Sequence, residues 1–285
     1  MLDLRQVAFN IEQGPRENIE DAVGSTAGTI LSPEIFYYIA LVLCDGVGGS
    51  IGGEVASEEA IRRVLAYLGT FLPLWKTASR YKIEFLLEKA LAYADLAIHR
   101  KIKSNPELAG MSTTIVCAVV VNDILHVGWA GDSRCYIYSK GKLRRITKDH
   151  SVVQGLIDEG LIDDKYLRDW PISHAINRYL GMPDFTSEIK TSPISSGDVI
   201  LLCSDGLTDV VTDRQIAEQI IEFEQDGISL KQLPQQLIQT ALDAGTTDNV
   251  SAVCYQHESD IVRTGAYPIA LGKMYQNFKE SKNVW

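Results

Sequence analysis

The chain lacks any apolar run long enough to cross a membrane. Its longest, Ile35 to Cys44, has ten residues bounded by Glu34 and Asp45, where a spanning helix needs at least ~18. It also lacks an excess of positive charge. Lysine and arginine number 27 against 37 aspartate and glutamate, for a formal net charge of -10, the wrong sign for non-specific attraction to nucleic acid or an anionic membrane. No Cys-x-x-Cys pair occurs among the five cysteines, at 44, 117, 135, 203 and 254. All stand in or beside apolar, strand-like segments, which argues against a disulfide framework and predicts reduced, buried thiols. Internal repeats and low-complexity tracts are absent too. The opening stretch MLDLRQVAFNIEQ places an acid before its first base and has no sustained apolar segment, so no secretory signal is expected and the cytoplasm is the expected compartment.

What remains is an ordinary globular composition, 46% hydrophobic and 22% charged over 285 residues, enough for one large domain or two small ones at roughly 150 residues each. Four short apolar segments, Thr113 to Val121, Ile124 to Ala130, Cys135 to Tyr138 and Leu143 to Thr147, follow one another closely. Their connections, Asn122-Asp123 and Ser139 to Lys142, are too short for a parallel crossover, so the expectation is an antiparallel meander. Phe36 to Cys44, Val199 to Cys203 and Val250 to Tyr255 are further strand candidates. Helical stripes run from Val55 to Leu68 and from Ile83 to Ile98. Two more helices fit Asp213 to Glu224 and Leu230 to Ala244, the second with Ser229 as N-cap and Gly245 as stop. Together these faces predict an α+β fold, a four-layer α-β-β-α sandwich of two antiparallel sheets flanked by helices. Residues 151-184 read as a flap inserted between sheet segments. From Ser259 to Trp285 four bases face two acids, leaving a +2 tail on a -12 body.

The acids fall in a pattern relative to the strands. Asp45, Asp132 and Asp205 each lie just past an apolar strand segment, and Asp248 sits just before one. In an antiparallel sheet the end of one strand and the start of its neighbour share an edge, so the four can converge. Carboxylates gathered in this way raise one another's pKa unless a cation relieves the repulsion. Oxygen-only ligation without a nearby Cys or His set favours Mg²⁺ or Mn²⁺ over zinc. Gly46, Gly48, Gly49, Gly131 and Gly206 stand beside these acids, and a glycine backbone can approach an ion closely. Two such ions at ~3.5 to 4 Å would clamp an in-line phosphoryl displacement.

Seven segments then occur in order: Arg16-Glu17-Asn18-Ile19-Glu20-Asp21-Ala22, Asp45-Gly46-Val47-Gly48-Gly49, Gly110-Met111-Ser112-Thr113-Thr114, Gly131-Asp132-Ser133-Arg134, Lys148-Asp149-His150-Ser151, Ser204-Asp205-Gly206-Leu207 and Asp248-Asn249-Val250-Ser251. This series resembles the metal-dependent protein phosphatase 2C family, in its compact bacterial branch, over Val7 to Gln256. The resemblance implies a catalytic domain over 1-258, followed by the tail 259-285. It implies hydrolysis of phosphoserine and phosphothreonine on proteins by water activated at two core Mn²⁺ or Mg²⁺ ions, with a weaker third ion. Asp45 would bridge the core ions, the Gly46 carbonyl would bind one, and Asp205 and Asp248 would complete the other. Asp21, with Glu20, would hold metal-bound water, and Asp132 with Asp205 would form the third site. Arg16 would grip the substrate phosphate, a task suited to an always-charged, bidentate guanidinium. The implied partner is a phosphorylated protein, a kinase or its targets, met by a monomeric enzyme.

One departure from the family pattern stands out. Members often carry a histidine in or just after the Asp-Gly loop, where this chain has Val47 and Ser50, so the general acid is unassigned. His150 and His174 are expected to be structural. Alternative readings are a catalytically dead phosphoprotein-binding regulator and a phosphatase of small phosphate metabolites.

Overall fold

Among the described residues every strand pairing is antiparallel. The computed structural model describes residues 6–31, 35–47, 52–74, 79–163 and 175–259. One sheet runs in the order β1 (Val7–Glu12), β10 (Val250–Gln256), β9 (Val199–Cys203), β6 (Arg134–Ser139), β7 (Lys142–Arg145). The other runs β2 (Ala22–Leu31), β3 (Ile35–Cys44), β4 (Ile115–Val121), β5 (Ile124–Ala130), β8 (Glu188–Pro193).

Alternation along the strands sorts the apolar residues into three layers. On β3, Tyr38, Ala40, Val42 and Cys44 pack under α1 (Gly53–Phe71) and α2 (Arg80–Ser104), while Ile39, Leu41 and Leu43 face the other sheet. On β9, Val199, Leu201 and Cys203 pack under α5 (Asp213–Asp226) and α6 (Gln232–Asp243), while Ile200 and Leu202 turn inward. The uninterrupted apolar runs are therefore strands covered on both faces, each fully buried leucine stabilising the fold by ~1.5–3 kcal/mol. This is the expected four-layer α-β-β-α sandwich. All five cysteines are buried and free.

The expected meander is corrected. β4 and β5 form a hairpin through Asn122-Asp123 in one sheet, and β6 and β7 form a hairpin through Lys140-Gly141 in the other. Between the hairpins the chain changes sheets at Gly131-Asp132-Ser133. Both hairpin turns use the left-handed region, at Asn122 (φ 55°), Lys140 (φ 50°) and Gly141 (φ 78°), which matches strand twist. Gly131 (φ 114°) instead turns the chain out of the sheet, and a Cβ there would lie 2.6 Å from that of Thr114.

Three strands escaped the pattern reading: β1, β2 and β8. The start of α6 moves as well. It begins at Gln232 with Lys231 in the cap position, and Ser229 offers only a long 3.5 Å contact to the Lys231 N–H. Pro234 explains the shift, because in the first turn its missing N–H costs nothing, whereas a start at Leu230 would leave a helical carbonyl without its donor. Gly245 (φ 81°) ends the helix as expected. Residues 164–174 of the expected flap, with His174, and the tail from residue 260 lie outside the described residues, as does Ser50. Among the described residues no helix is long and apolar enough to cross a membrane.

Candidate active site

The strand registers bring the acids to one edge. Ala22 pairs with Cys44, so Asp21 and Asp45 flank that pair. Cys203 pairs with both Ala252 and Arg134, which sets Asp205 near the start of β10 and near the Gly131–Ser133 crossing. Arg16, Asp45, Asp132, Asp205 and Asp248 thus line one cleft of about 650 Å³. Asp21 is buried behind it, coupled electrostatically to Asp45, Asp205 and Asp248. Neither Gly46 nor Glu20 is among the lining residues of this cleft, and the Gly46 N–H donates to the Glu20 carbonyl at 3.1 Å.

Backbone and side-chain hydrogen bonds fix Asp45. Its carbonyl accepts from the Thr114 N–H and the Thr113 hydroxyl, each at 2.8 Å, and its N–H donates to Thr114 Oγ1 at 3.1 Å. Thr114 Oγ1 meets Ser133 Oγ at 2.7 Å, tying the Asp45 loop to the sheet crossing that carries Asp132. His150 Nδ1 accepts from the Gly131 N–H at 3.2 Å and the Gly131 carbonyl accepts from the His150 N–H at 3.0 Å, holding the crossing from its other side. Asp205 opens α4 (Asp205–Thr208), directly after β9. A Cβ on Gly206 would lie 2.0 Å from the Asn249 carbonyl, so only glycine lets this turn approach the start of β10.

The acids are uncomfortable as a group of anions. Burial pushes the Asp45 carboxyl well above the usual carboxylate range, with the neighbouring Asp21, Asp205 and Asp132 carboxyls adding to it. Burial raises Asp132 in the same way, followed by Asp205 and Asp149. Asp21 rises from 3.8 to about 7, mainly through burial, with the Ser251 and Ser204 hydroxyls opposing. Neither Asp21 oxygen makes a well-formed hydrogen bond, the two hydroxyls being bonded to one another at 3.2 Å. Arg16 sits at the rim, donating from Nη2 to Asp248 Oδ2 at 2.6 Å and from Nε to the Thr247 carbonyl at 3.0 Å. Among the described residues no three His, Cys or carboxylate side chains form a tight preset cage. Buried carboxyls that raise one another's pKa, an Asp21 carboxyl short of well-formed hydrogen bonds and a ligand set made only of oxygen are nevertheless what a hard divalent cation would satisfy.

Sequence reasoning missed part of the lining. Asp209, Val210, Ile176, Thr246 and Thr247 also face the cleft. Asp209 was detectable as the residue one helical turn after Asp205, whereas Ile176 reaches the site only through tertiary folding.

The chain is thus an α-β-β-α sandwich whose two sheets deliver carboxylates to one cleft at a shared edge, and comparison with known proteins narrows the class. The family model described as protein phosphatase 2C matches residues 33–241. The chain belongs to the protein phosphatase 2C family. It is 35% identical over 215 residues to the serine/threonine protein phosphatase PstP of Mycobacterium tuberculosis, covering 75% of this chain but 39% of that protein, so it spans about two fifths of that relative's length. It is 30% identical over 231 residues to the serine/threonine phosphatase stp of Listeria monocytogenes, covering 79% of this chain and 86% of that one. The catalytic domain of PstP in complex with two manganese ions superposes with a TM-score of 0.71 at 31% identity, covering 88% of this chain and 96% of that one.

Proposed function

We propose that the chain is a metal-dependent phosphatase of phosphoserine and phosphothreonine in proteins, with residues 1–258 as its catalytic domain and 151–184 as a flap. The observation that carries this reading is the cleft itself, where carboxyls from both sheets meet under Arg16. In this reading Asp45, the Gly46 carbonyl, Asp205 and Asp248 would hold two Mn²⁺ or Mg²⁺ ions, Asp21 with Glu20 would hold metal-bound water, and Asp132 with Asp205 would hold a weaker third ion. When bound, the ions supply water activation and charge neutralisation for phosphoryl transfer to water.

The remaining chemistry belongs to side chains of this chain. Arg16 binds the phosphate as a planar, permanently charged donor. Thr114 and Ser133 hold the Asp45 loop and the Asp132 crossing in register. Val210, Ile176 and Val47 form the apolar part of the lining. The named activity of the relatives supports the phosphoprotein substrate. Five buried free thiols support a reducing compartment, in keeping with the cytoplasm.

The test is phosphate release from a phosphothreonine peptide and from a small alkyl phosphate, with Mn²⁺ or with chelator. The expected result is metal-dependent release that favours the peptide, lost in Asp205→Asn and Asp248→Asn. Full activity after metal stripping would overturn the mechanism, and preference for the small phosphate would overturn the substrate class.

A further inference from the structure

The loop carrying Arg16 belongs to no helix or strand, yet it is stitched to the start of β10 at several points. Asn249 is buried, at 3% exposure. Its Nδ2 donates to the Gln13 carbonyl at 2.7 Å and the Asn18 carbonyl at 2.9 Å, and its Oδ1 accepts from the Glu20 N–H at 2.8 Å. One side-chain amide therefore uses both donors and its acceptor on three backbone groups of the segment 13–20. Gln13 closes the same loop from within, its Nε2 donating to the carbonyls of Arg16 at 2.6 Å and Glu17 at 2.9 Å. Gly14 (φ 58°) lies so close that a Cβ there would stand 2.3 Å from the Asp248 carbonyl.

We propose that the side-chain amides of Asn249 and Gln13 form a clasp that positions Arg16 for the substrate phosphate. The inference rests on the reading that Arg16 binds this phosphate. Asn249 touches neither phosphate nor the reacting atoms in this assignment; it is a positioning residue. Its own N–H donates to Asp248 Oδ1 at 2.8 Å, a backbone bond that survives side-chain truncation, so the two jobs of the Asp248-Asn249 pair are separable. The segment also carries Glu20 and Asp21, so the clasp fixes the arginine relative to the acids behind the cleft. Asparagine suits the position because a carboxylate could accept from Glu20 but could not donate to two carbonyls, and an alanine could do neither.

The experiment is a double-mutant cycle at saturating Mn²⁺, with para-nitrophenyl phosphate as substrate and inorganic phosphate as competitive inhibitor. Asn249→Ala is expected to raise KM and the inhibition constant of phosphate roughly tenfold with a smaller change in kcat, the size that loss of one or two net hydrogen bonds carries. Gln13→Ala, an exposed residue whose replacement leaves the core intact, is expected to shift both constants in the same direction by roughly threefold. In the Arg16→Ala background, Asn249→Ala should add less than about twofold, because residues acting through one another are non-additive. Trypsin cleavage after Arg16 in the otherwise unaltered loop should be faster in Asn249→Ala, a readout independent of turnover. An Asn249→Ala effect that persists undiminished without Arg16 would make Asn249 a general structural residue and overturn the clasp. Constants raised by Arg16→Ala but unchanged by Asn249→Ala would overturn the clasp alone. Constants unchanged in Arg16→Ala itself would overturn the phosphate-binding reading beneath it.

Discussion

Arg134 and Asp149 form a forked ion pair inside the protein. Arg134 Nε lies 3.0 and 3.2 Å from the two carboxylate oxygens and Nη2 lies 2.7 Å from one, with both side chains buried. The pair joins the strand that follows the sheet crossing to the segment that leads into the flap. It occupies the flanks of Asp132 on one side and His150 on the other. Removing only the cation would strand a buried carboxylate, so Arg134→Met should cost about 3–5 kcal/mol. Arg145 Nη1, 3.5 Å from Asp149, should hold the loss to the lower end. Replacing both partners, as in Arg134→Met with Asp149→Leu, should recover much of the stability. Urea unfolding of the single and double variants decides it, and a single variant as stable as the parent would refute the account.

Gly206 offers a sharper steric test. A Cβ there meets the Asn249 carbonyl at 2.0 Å, and backbone on both sides leaves little room to yield. Gly206→Ala should therefore destabilise the protein by about 1–3 kcal/mol, the usual range for overpacking. Because the displaced groups are the neighbours of Asp205 and Asp248, Mn²⁺ affinity should fall along with stability. Calorimetric titration with Mn²⁺ checks this, and unchanged affinity in the folded variant would show that the turn is not what sets the spacing of the acids.

The positions of Asp45, Asp132, Asp205 and Asp248 were legible because each terminates or precedes an apolar run, and strand ends are where antiparallel neighbours meet. The strands that were missed have weaker patterns. β2, with the sequence AVGSTAGTIL, is rich in glycine, serine and threonine and shows no clean alternation. β8, with EIKTSP, is an edge strand with polar residues that reads as loop. Short turns identified two hairpins but not that they belong to different sheets, since nothing local to Gly131-Asp132-Ser133 says whether the chain folds back or crosses over. The Arg134–Asp149 pair and the Asn249 contacts were hidden for a related reason. Partners separated by 15 residues in one case and by up to 236 in the other meet only through the sheet registers.

The raised carboxyls predict a pH-dependent link to metal. Asp21 has a folded value of about 7 against an ordinary 3.8, so without a cation the folded state holds a proton that the unfolded chain releases. That favourable contribution is complete below the ordinary value and is lost as pH rises toward about 7. A bound cation replaces the proton, so metal binding releases protons and tightens with pH. The difference in Tm between Mn²⁺-saturated and chelated protein should accordingly widen from about pH 5 to about pH 8. Asp21→Asn should flatten this trend by stabilising the chelated form at the upper end. Scanning calorimetry across the range measures it, and a gap independent of pH would mean that the buried acids are not the groups the metal displaces protons from.

Hydrolysis of a phosphate monoester must deliver a proton to the leaving oxygen. Val47 lines the cleft beside Asp45, and the motif histidine, His150, is not among the lining residues and is engaged with the crossing behind Asp132. Its Nδ1 accepts from the Gly131 N–H, and its Nε2 lies 3.2 Å from both Glu188 Oε1 and Arg178 Nη1, with the ring stacked on Trp129. Burial and the Arg178 charge lower its pKa below 6.5 despite Glu188 and Asp149, which leaves a neutral ring acting as a hydrogen-bond acceptor. An enzyme without an imidazole acid should be sensitive to how readily the leaving oxygen departs. The ratio of kcat/KM for an aryl over an alkyl phosphate should be large and should stay within about twofold in His150→Ala, along with the acid limb of the pH profile. Tm should fall in that variant, because Gly131 loses its acceptor. The stability deficit should shrink as pH falls below the ordinary value of 6.5, since a histidine with a depressed folded pKa withdraws its contribution as protons bind. Loss of the acid limb in His150→Ala would instead make this histidine the proton donor, and the Gly131 hydrogen bond would then be a resting arrangement broken during turnover.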